Sequence, residues 1–153
     1  MLVYRIAGTG HVRDLTGAGA RLYSGRWNHR GTALIYTSET RSLATVEYLV
    51  HVSLPYAPTG LNIATIGIPD DIGPEAIELS SLPRNWQDFP APLELADVGT
   101  SWVQAKRSLL LRVPSAVVQH EHNLLINPSH TDMSRVVLVD VERLALDERL
   151  LRK

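Results

Sequence analysis

The chain has no cysteine among its 153 residues. That excludes a disulfide framework, a thiolate nucleophile and thiolate metal ligands, and it fits a reducing compartment. Charge bias is also missing. Fifteen Lys and Arg against sixteen Asp and Glu leave a formal net charge of −1, so no global field draws the chain to nucleic acid, although a local basic pocket is not excluded. No apolar run approaches the roughly 18 residues of a membrane span. The opening MLVYRIAG lacks the basic and long apolar regions of a secretory signal and reads as a strand. No Gly-x-Gly-x-x-Gly follows a strand and no Walker-type Gly-Lys-Ser/Thr is present, so the usual nucleotide-binding frames are missing. Repeats, low-complexity tracts and linkers are absent too. These absences predict a soluble cytoplasmic protein without direct nucleic-acid or membrane contact.

What is present is ordinary globular composition, 44% apolar and 20% charged, in a length suited to one domain over residues 1–153. Strands are expected at Leu2 to Ala7, Ala33 to Thr37, Leu61 to Ile68, Leu110 to Val118, Arg135 to Val141 and, more weakly, Asn123 to Asn127. A Gly-rich stretch from Gly8 to Gly31 predicts irregular backbone, and long loops in compact domains are often functional. A helix is expected from Thr40 to Ser53, with Thr37-Ser38 as its N-cap, Glu39 in its first turn and Pro55 as its stop. A second is expected from Asp97 to Leu109, beginning near Thr100 or Ser101. The Pro-punctuated stretch from Pro69 to Pro92 reads as ordered loop over the core, and Leu144 to Lys153 as a short charged helix. The pattern predicts an α+β domain on a mainly antiparallel sheet.

Four features carry candidate chemistry. Glu47 falls about 40° from Leu43 on a helical wheel, inside the arc that Leu43, Ala44, Val46 and Val50 define. A carboxylate on an inward face requires a partner, though spacing alone also permits an edge position reaching solvent. In Tyr23-Ser24-Gly25-Arg26-Trp27-Asn28, Gly25 permits a turn that brings Arg26 to a ligand, and a guanidinium suits a phosphate. Trp27 either shelters that site or anchors the loop. In Arg112-Val113-Pro114-Ser115, the proline implies an edge or bulge where a hydroxyl can be aimed at a cleft. No triad frame surrounds Ser115, so positioning by hydrogen bonding fits it better than nucleophilic attack. His120, His122 and His130 lie near Glu121, but this spacing is no zinc signature, and no metal site is expected.

These segments occur in one order. Tyr4-Arg5-Ile6, Ser24-Gly25-Arg26-Trp27-Asn28, Tyr36 and Ala44-Thr45-Val46-Glu47 precede Leu111-Arg112-Val113-Pro114-Ser115-Ala116-Val117 and Asn123-Leu124-Leu125-Ile126-Asn127-Pro128-Ser129-His130. The series resembles the RES-domain family, named for recurrent arginine, glutamate and serine, over about residues 2 to 145. The resemblance implies a compact relative of the ADP-ribosyltransferase fold that consumes NAD⁺ as the toxin of a type II toxin–antitoxin pair. It implies a partner as well, an Xre-type helix-turn-helix antitoxin that covers the active site, in a higher-order complex. By the same resemblance Glu47, Arg26, Tyr36 and Ser115 are the catalytic set. Arg5, Arg26, Tyr36 and Ser115 are the substrate-binding set, and Ser129 is the alternative family serine.

On that reading Glu47 stabilises an oxocarbenium-like ribose or binds its hydroxyl. Arg26 and Arg5 hold phosphate, Tyr36 packs on nicotinamide or ribose, and Ser115 orients the substrate. No cofactor is required, since NAD⁺ is the substrate. Water as acceptor makes the enzyme a glycohydrolase, inorganic phosphate makes it a phosphorylase, and a protein side chain makes it an ADP-ribosyltransferase. Outside this class stand a non-catalytic nucleotide- or partner-binding module and an RNA-cleaving toxin working through its histidines.

Overall fold

A computed structural model describes residues 1–52 and 59–151. The strands are β1 (Leu2–Gly8), β2 (Ile35–Ser38), β3 (Leu61–Gly67), β4 (Glu75–Ala76), β5 (Leu110–Pro114), β6 (His122–Ile126) and β7 (Val137–Arg143). They form one sheet in the order β4-β5-β6-β2-β1-β3-β7. All pairings are antiparallel except the two-residue β4 beside β5. Among the described residues three α-helices accompany the sheet: α1 (Ala18–Leu22), α2 (Arg41–Leu49) and α3 (Leu93–Ala105). The α+β expectation with a mainly antiparallel sheet therefore holds.

Side chains alternate across a strand, and directly paired residues share a face. Leu111, Val113 and Leu125 point to one face, where they pack with Trp27, Leu34, Leu95, Trp102 and Val103 beneath α3. Val3, Ile35, Ala64, Ile66, Leu110, Leu124 and Ile126 point to the other, which Val12, Ile68 and Leu109 help to cover. Gly99 lets α3 approach closely: a Cβ there would stand 1.8 Å from the carbonyl oxygen of Trp27. Trp27 itself is 3% exposed. Of its two expected roles, it takes that of core anchor for the loop before β2.

Several boundaries move. The predicted cap at Thr37-Ser38 gives way to Thr40, whose hydroxyl accepts the Leu43 N–H at 3.0 Å. Sheet pairing decides this, because β2 runs on to Ser38 opposite Asn123. Glu39 precedes α2 and binds Arg112 instead of entering the first turn. The helix ends at Leu49, and Ser53 and Pro55 lie outside the described residues. The second helix begins at Leu93, earlier than Asp97, with Pro92 as its N-cap. Lys106 then closes it in the left-handed conformation. Pro114 sits at the end of β5 and not inside it. The short β4 pairs only with Leu111 and Arg112, so the N–H that proline lacks would have found no strand there. The Gly-rich segment contains the five-residue α1, and the tail forms a 3₁₀ turn at Glu148–Leu151; residues 152–153 lie outside the described part. Among the described residues no helix is long and apolar enough to cross a membrane.

Candidate active site

Helix α2 packs on β1 and β2 through Leu43 and Ala44, its buried residues. At 100° per residue, Glu47 lies between those two in projection, at the middle of the inward face. Val46 and Val50, expected inside, are 37% and 53% exposed and flank the stripe. Glu47 is half-buried there and finds its partners inside the fold. Glu47 Oε1 accepts from Ser115 Oγ at 2.7 Å and from Asn123 Nδ2 at 2.6 Å. No described residue donates to Oε2. Among the described residues no buried side-chain oxygen or nitrogen lacks a partner, so Oε2 is not a sealed, unpaired acceptor.

Ser115 has no capacity left for a substrate. It is 2% exposed. Its hydroxyl proton goes to Glu47, and its oxygen accepts the N–H groups of Val117 at 3.1 Å and Val118 at 2.9 Å. One donor and two lone pairs are the whole inventory of a hydroxyl. The contact expected with substrate is thus replaced by one with Glu47. Ser129 lies apart, exposed in a turn, where its N–H meets Asn127 Oδ1.

Arg26 reaches the same region. Burial lowers its pKa from the ordinary value, opposed by the charges of Glu47, Tyr36 and Asp88. Nη1 donates to the carbonyls of Trp86 at 2.6 Å and Asp88 at 3.1 Å, which ties the Pro-rich loop to the site. Nε and Nη2 have no hydrogen-bond partner among the described residues. Arg26 and Glu47 interact by charge without forming an ion pair with one another.

Asn28, fully buried, shapes this loop. Its Oδ1 accepts from Gly25 N–H at 3.0 Å and Tyr36 Oη at 2.7 Å, and its Nδ2 donates to the Ala20 carbonyl at 2.7 Å. Tyr36 Oη also accepts the Trp27 N–H at 3.1 Å. The close approach explains Gly25, since a Cβ there would meet Tyr36 Oη at 2.5 Å. Burial raises the Tyr36 hydroxyl well above its ordinary value of 10.0. The folded state therefore holds this proton more tightly than the unfolded chain. Its contribution to stability is complete below pH 10 and is lost as the pH climbs from there towards the folded value. A tyrosinate absorbance titration is expected to show Tyr36 ionising only with alkaline unfolding. Ionisation near pH 10 in the folded protein would contradict its buried placement.

Arg5 is not brought to this group. Tyr4 pairs with Ser38, and Ser38 with Asn123, so the face of Glu47 is that of Tyr4 and the next residue points away. The expected phosphate contact gives way to a hydrogen bond from Arg5 Nη1 to the Asp14 carbonyl at 2.6 Å. Burial lowers its pKa, with Asp14 opposing. Arg112 likewise turns from the site to Glu39, at 2.8 Å. His120 is exposed at a positive φ, and His130 caps a 3₁₀ turn. No group of three metal-capable side chains occurs among the described residues.

Sequence reasoning missed roles for Asn28 and Asn123, although both stand in the motifs. The available signal was position. Asn28 directly follows a core tryptophan, and Asn123 heads the apolar Leu124-Leu125-Ile126, where an amide is costly to bury without partners.

Comparison with known proteins fits this arrangement. The family model for the RES domain matches residues 2–147. A protein named Toxin Res from Yersinia enterocolitica is 39% identical over 153 residues, covering 98% of this chain and 99% of that one. A protein of a Sphingobium species named Prs ADP-ribosylating toxin is 37% identical over 149 residues, covering 96% and 92%. Among solved structures, a chain of the M. tuberculosis MbcT–MbcA toxin–antitoxin complex superposes with a TM-score of 0.71 at 19% identity, over 94% of this chain and 83% of that one.

Proposed function

The chain belongs to the RES-domain family, and from that premise we propose that it is the toxin of a toxin–antitoxin pair, cleaving the nicotinamide–ribose bond of NAD⁺. One observation carries the reading: Glu47 is held through one oxygen while the other takes no hydrogen bond from a described residue, and the carboxylate lies within charge interaction of Arg26, whose Nε and Nη2 likewise have no described partner. An anion for a developing cation and a cation for a pyrophosphate are the two charges this reaction needs. The bond from ribose C1′ to the pyridinium nitrogen breaks, and its electron pair leaves with neutral nicotinamide. Glu47, the catalytic residue, stabilises the oxocarbenium-like ribose until a lone pair of the acceptor closes on C1′ and the acceptor releases a proton. Water or inorganic phosphate is the acceptor in this reading.

A second reading transfers ADP-ribose to a protein. It is favoured by the name of the Sphingobium relative, and it uses the same bond cleavage. The partner is an Xre-type antitoxin covering the site, a proposal supported by the antitoxin present beside the solved structural neighbour. Incubating the purified protein with NAD⁺ in plain buffer, with phosphate and with cell extract tests these readings by mass spectrometry. Free ADP-ribose or its 1-phosphate supports the first and a modified protein the second, whereas intact NAD⁺ throughout contradicts both. Arg26→Ala is expected to raise the KM for NAD⁺ about tenfold or more and to lower kcat, because the phosphate grip also orients the reacting bond. An unchanged KM would remove Arg26 from phosphate binding.

A further inference from the structure

The carboxylate of Glu47 has two donors on one oxygen and none described on the other, and the second donor has a support of its own. Asn123 lies directly opposite Ser38 in the β2–β6 pairing. Its Oδ1 accepts from Ser38 Oγ at 2.7 Å while its Nδ2 donates to Glu47 Oε1 at 2.6 Å. Ser38 is 4% exposed, so its hydroxyl is held inside the sheet, away from competing water. The acceptor-only carboxylate sets the amide's orientation, because a flipped amide would put a carbonyl against it, and the Ser38 hydroxyl then gives its proton to Oδ1 and holds the amide in that place. The chain Ser38–Asn123–Glu47 thus links two paired strands to α2. Ser115, at the end of β5, meets the same oxygen from another direction.

We propose that Asn123, held in place by Ser38, is a positioning residue that assigns the two oxygens of Glu47: Oε1 is the anchored atom and Oε2 the atom presented to the ribose. A glutamate turns about three side-chain bonds. Ser115 alone restrains it at one point and leaves rotation about that hydrogen bond, whereas a second donor on the same oxygen removes that freedom. The inference rests on the proposed NAD⁺ cleavage and adds what makes its carboxylate face one way. Asn123 acts through Glu47 and touches no substrate.

The test is steady-state kinetics of wild type, Asn123→Ala, Asn123→Asp and Ser38→Ala on NAD⁺, with thermal melts to confirm folding. Asn123→Ala is expected to lower kcat about tenfold to a hundredfold, the range of a hydrogen bond to a charged group, with KM changed less than about threefold. Ser38→Ala is expected to lower kcat about twofold to tenfold by freeing the amide. Asn123→Asp places a carboxyl against Oε1, and the pair shares a proton at low pH. Its kcat is therefore expected to rise with pH more steeply than that of the wild type. Wild-type kcat and an unaltered pH profile in folded Asn123 variants would overturn the positioning role and leave NAD⁺ cleavage standing. A wild type that leaves NAD⁺ intact would overturn the functional reading itself, so the two failures are distinct.

Discussion

Replacing Glu47 by glutamine is expected to lower NAD⁺ turnover about a thousandfold while the protein stays folded. The reason is the uneven use of its two oxygens. Ser115 and Asn123 both donate to Oε1, and a glutamine carbonyl accepts both bonds as a carboxylate does. The amide nitrogen then replaces Oε2. A neutral donor stands where an anion faced the ribose, and the electrostatic stabilisation of the transition state is lost, a loss of about 10²–10³ or more for preorganised groups of this kind. KM is expected to change little, since the proposed phosphate grip resides in Arg26. Stability should shift by about 1 kcal/mol or less, as no buried donor is left unpaired. Turnover within about tenfold of wild type, measured on folded protein, would remove Glu47 from the chemistry.

The second large effect is on folding. Gly99 lies inside α3, where glycine is ordinarily a poor choice. Here it is needed, because a Cβ would stand 1.8 Å from the Trp27 carbonyl oxygen and 2.8 Å from its carbonyl carbon. These are backbone atoms of a buried residue, and no rotamer change relieves the contact. Gly99→Ala is expected to cost about 3 kcal/mol or more, by the mechanism of overpacking against a rigid neighbour. For a chain of this size that is a fall in Tm of about 6–12 °C. The strain also falls on the residue next to Arg26, so the variant should lose activity even below its melting point. A Tm within about 1 °C of wild type would show that the helix does not rest on that backbone.

Apolar β-type runs made the sheet legible, because strands covered on both faces, such as β3, β5 and β6, read as near-continuous apolar segments. The ends of elements were less so. Thr37-Ser38 read as a cap because the residues suit one, yet strand pairing with Leu124 and Asn123 claimed both. Cross-strand register is a long-range property that local spacing does not carry. The same holds at the site. Glu47 and Arg26 were identifiable as chemistry out of place, one on an inward helix face and one beside a turn glycine. Their partners were not, since Ser115 and Asn123 are 68 and 76 residues from Glu47 in the chain. Arg5 shows the reverse. Its motif suggested the site, and the pleat of β1 turns it to the other face of the sheet. No spacing rule distinguishes those outcomes before the pairing Tyr4 with Ser38 is known.

The arrangement also divides labour among the motif residues. Ser115 spends its hydroxyl on Glu47, and Tyr36 spends its own on the loop that presents Arg26. Among the described polar atoms of these groups, Glu47 Oε2 and Arg26 Nε and Nη2 are left without a protein partner. On the proposed reading the chemistry rests on few atoms held by many, which is how preorganisation lowers the cost of stabilising charge at the moment of reaction.

The most direct measurement is the NAD⁺ content, by mass spectrometry, of cells briefly expressing the wild-type chain or its Glu47→Gln variant. The account predicts that NAD⁺ falls with the wild type and holds steady with the variant, at equal protein levels. Steady NAD⁺ in both cultures, or an equal fall in both, would contradict cleavage of NAD⁺ at this site.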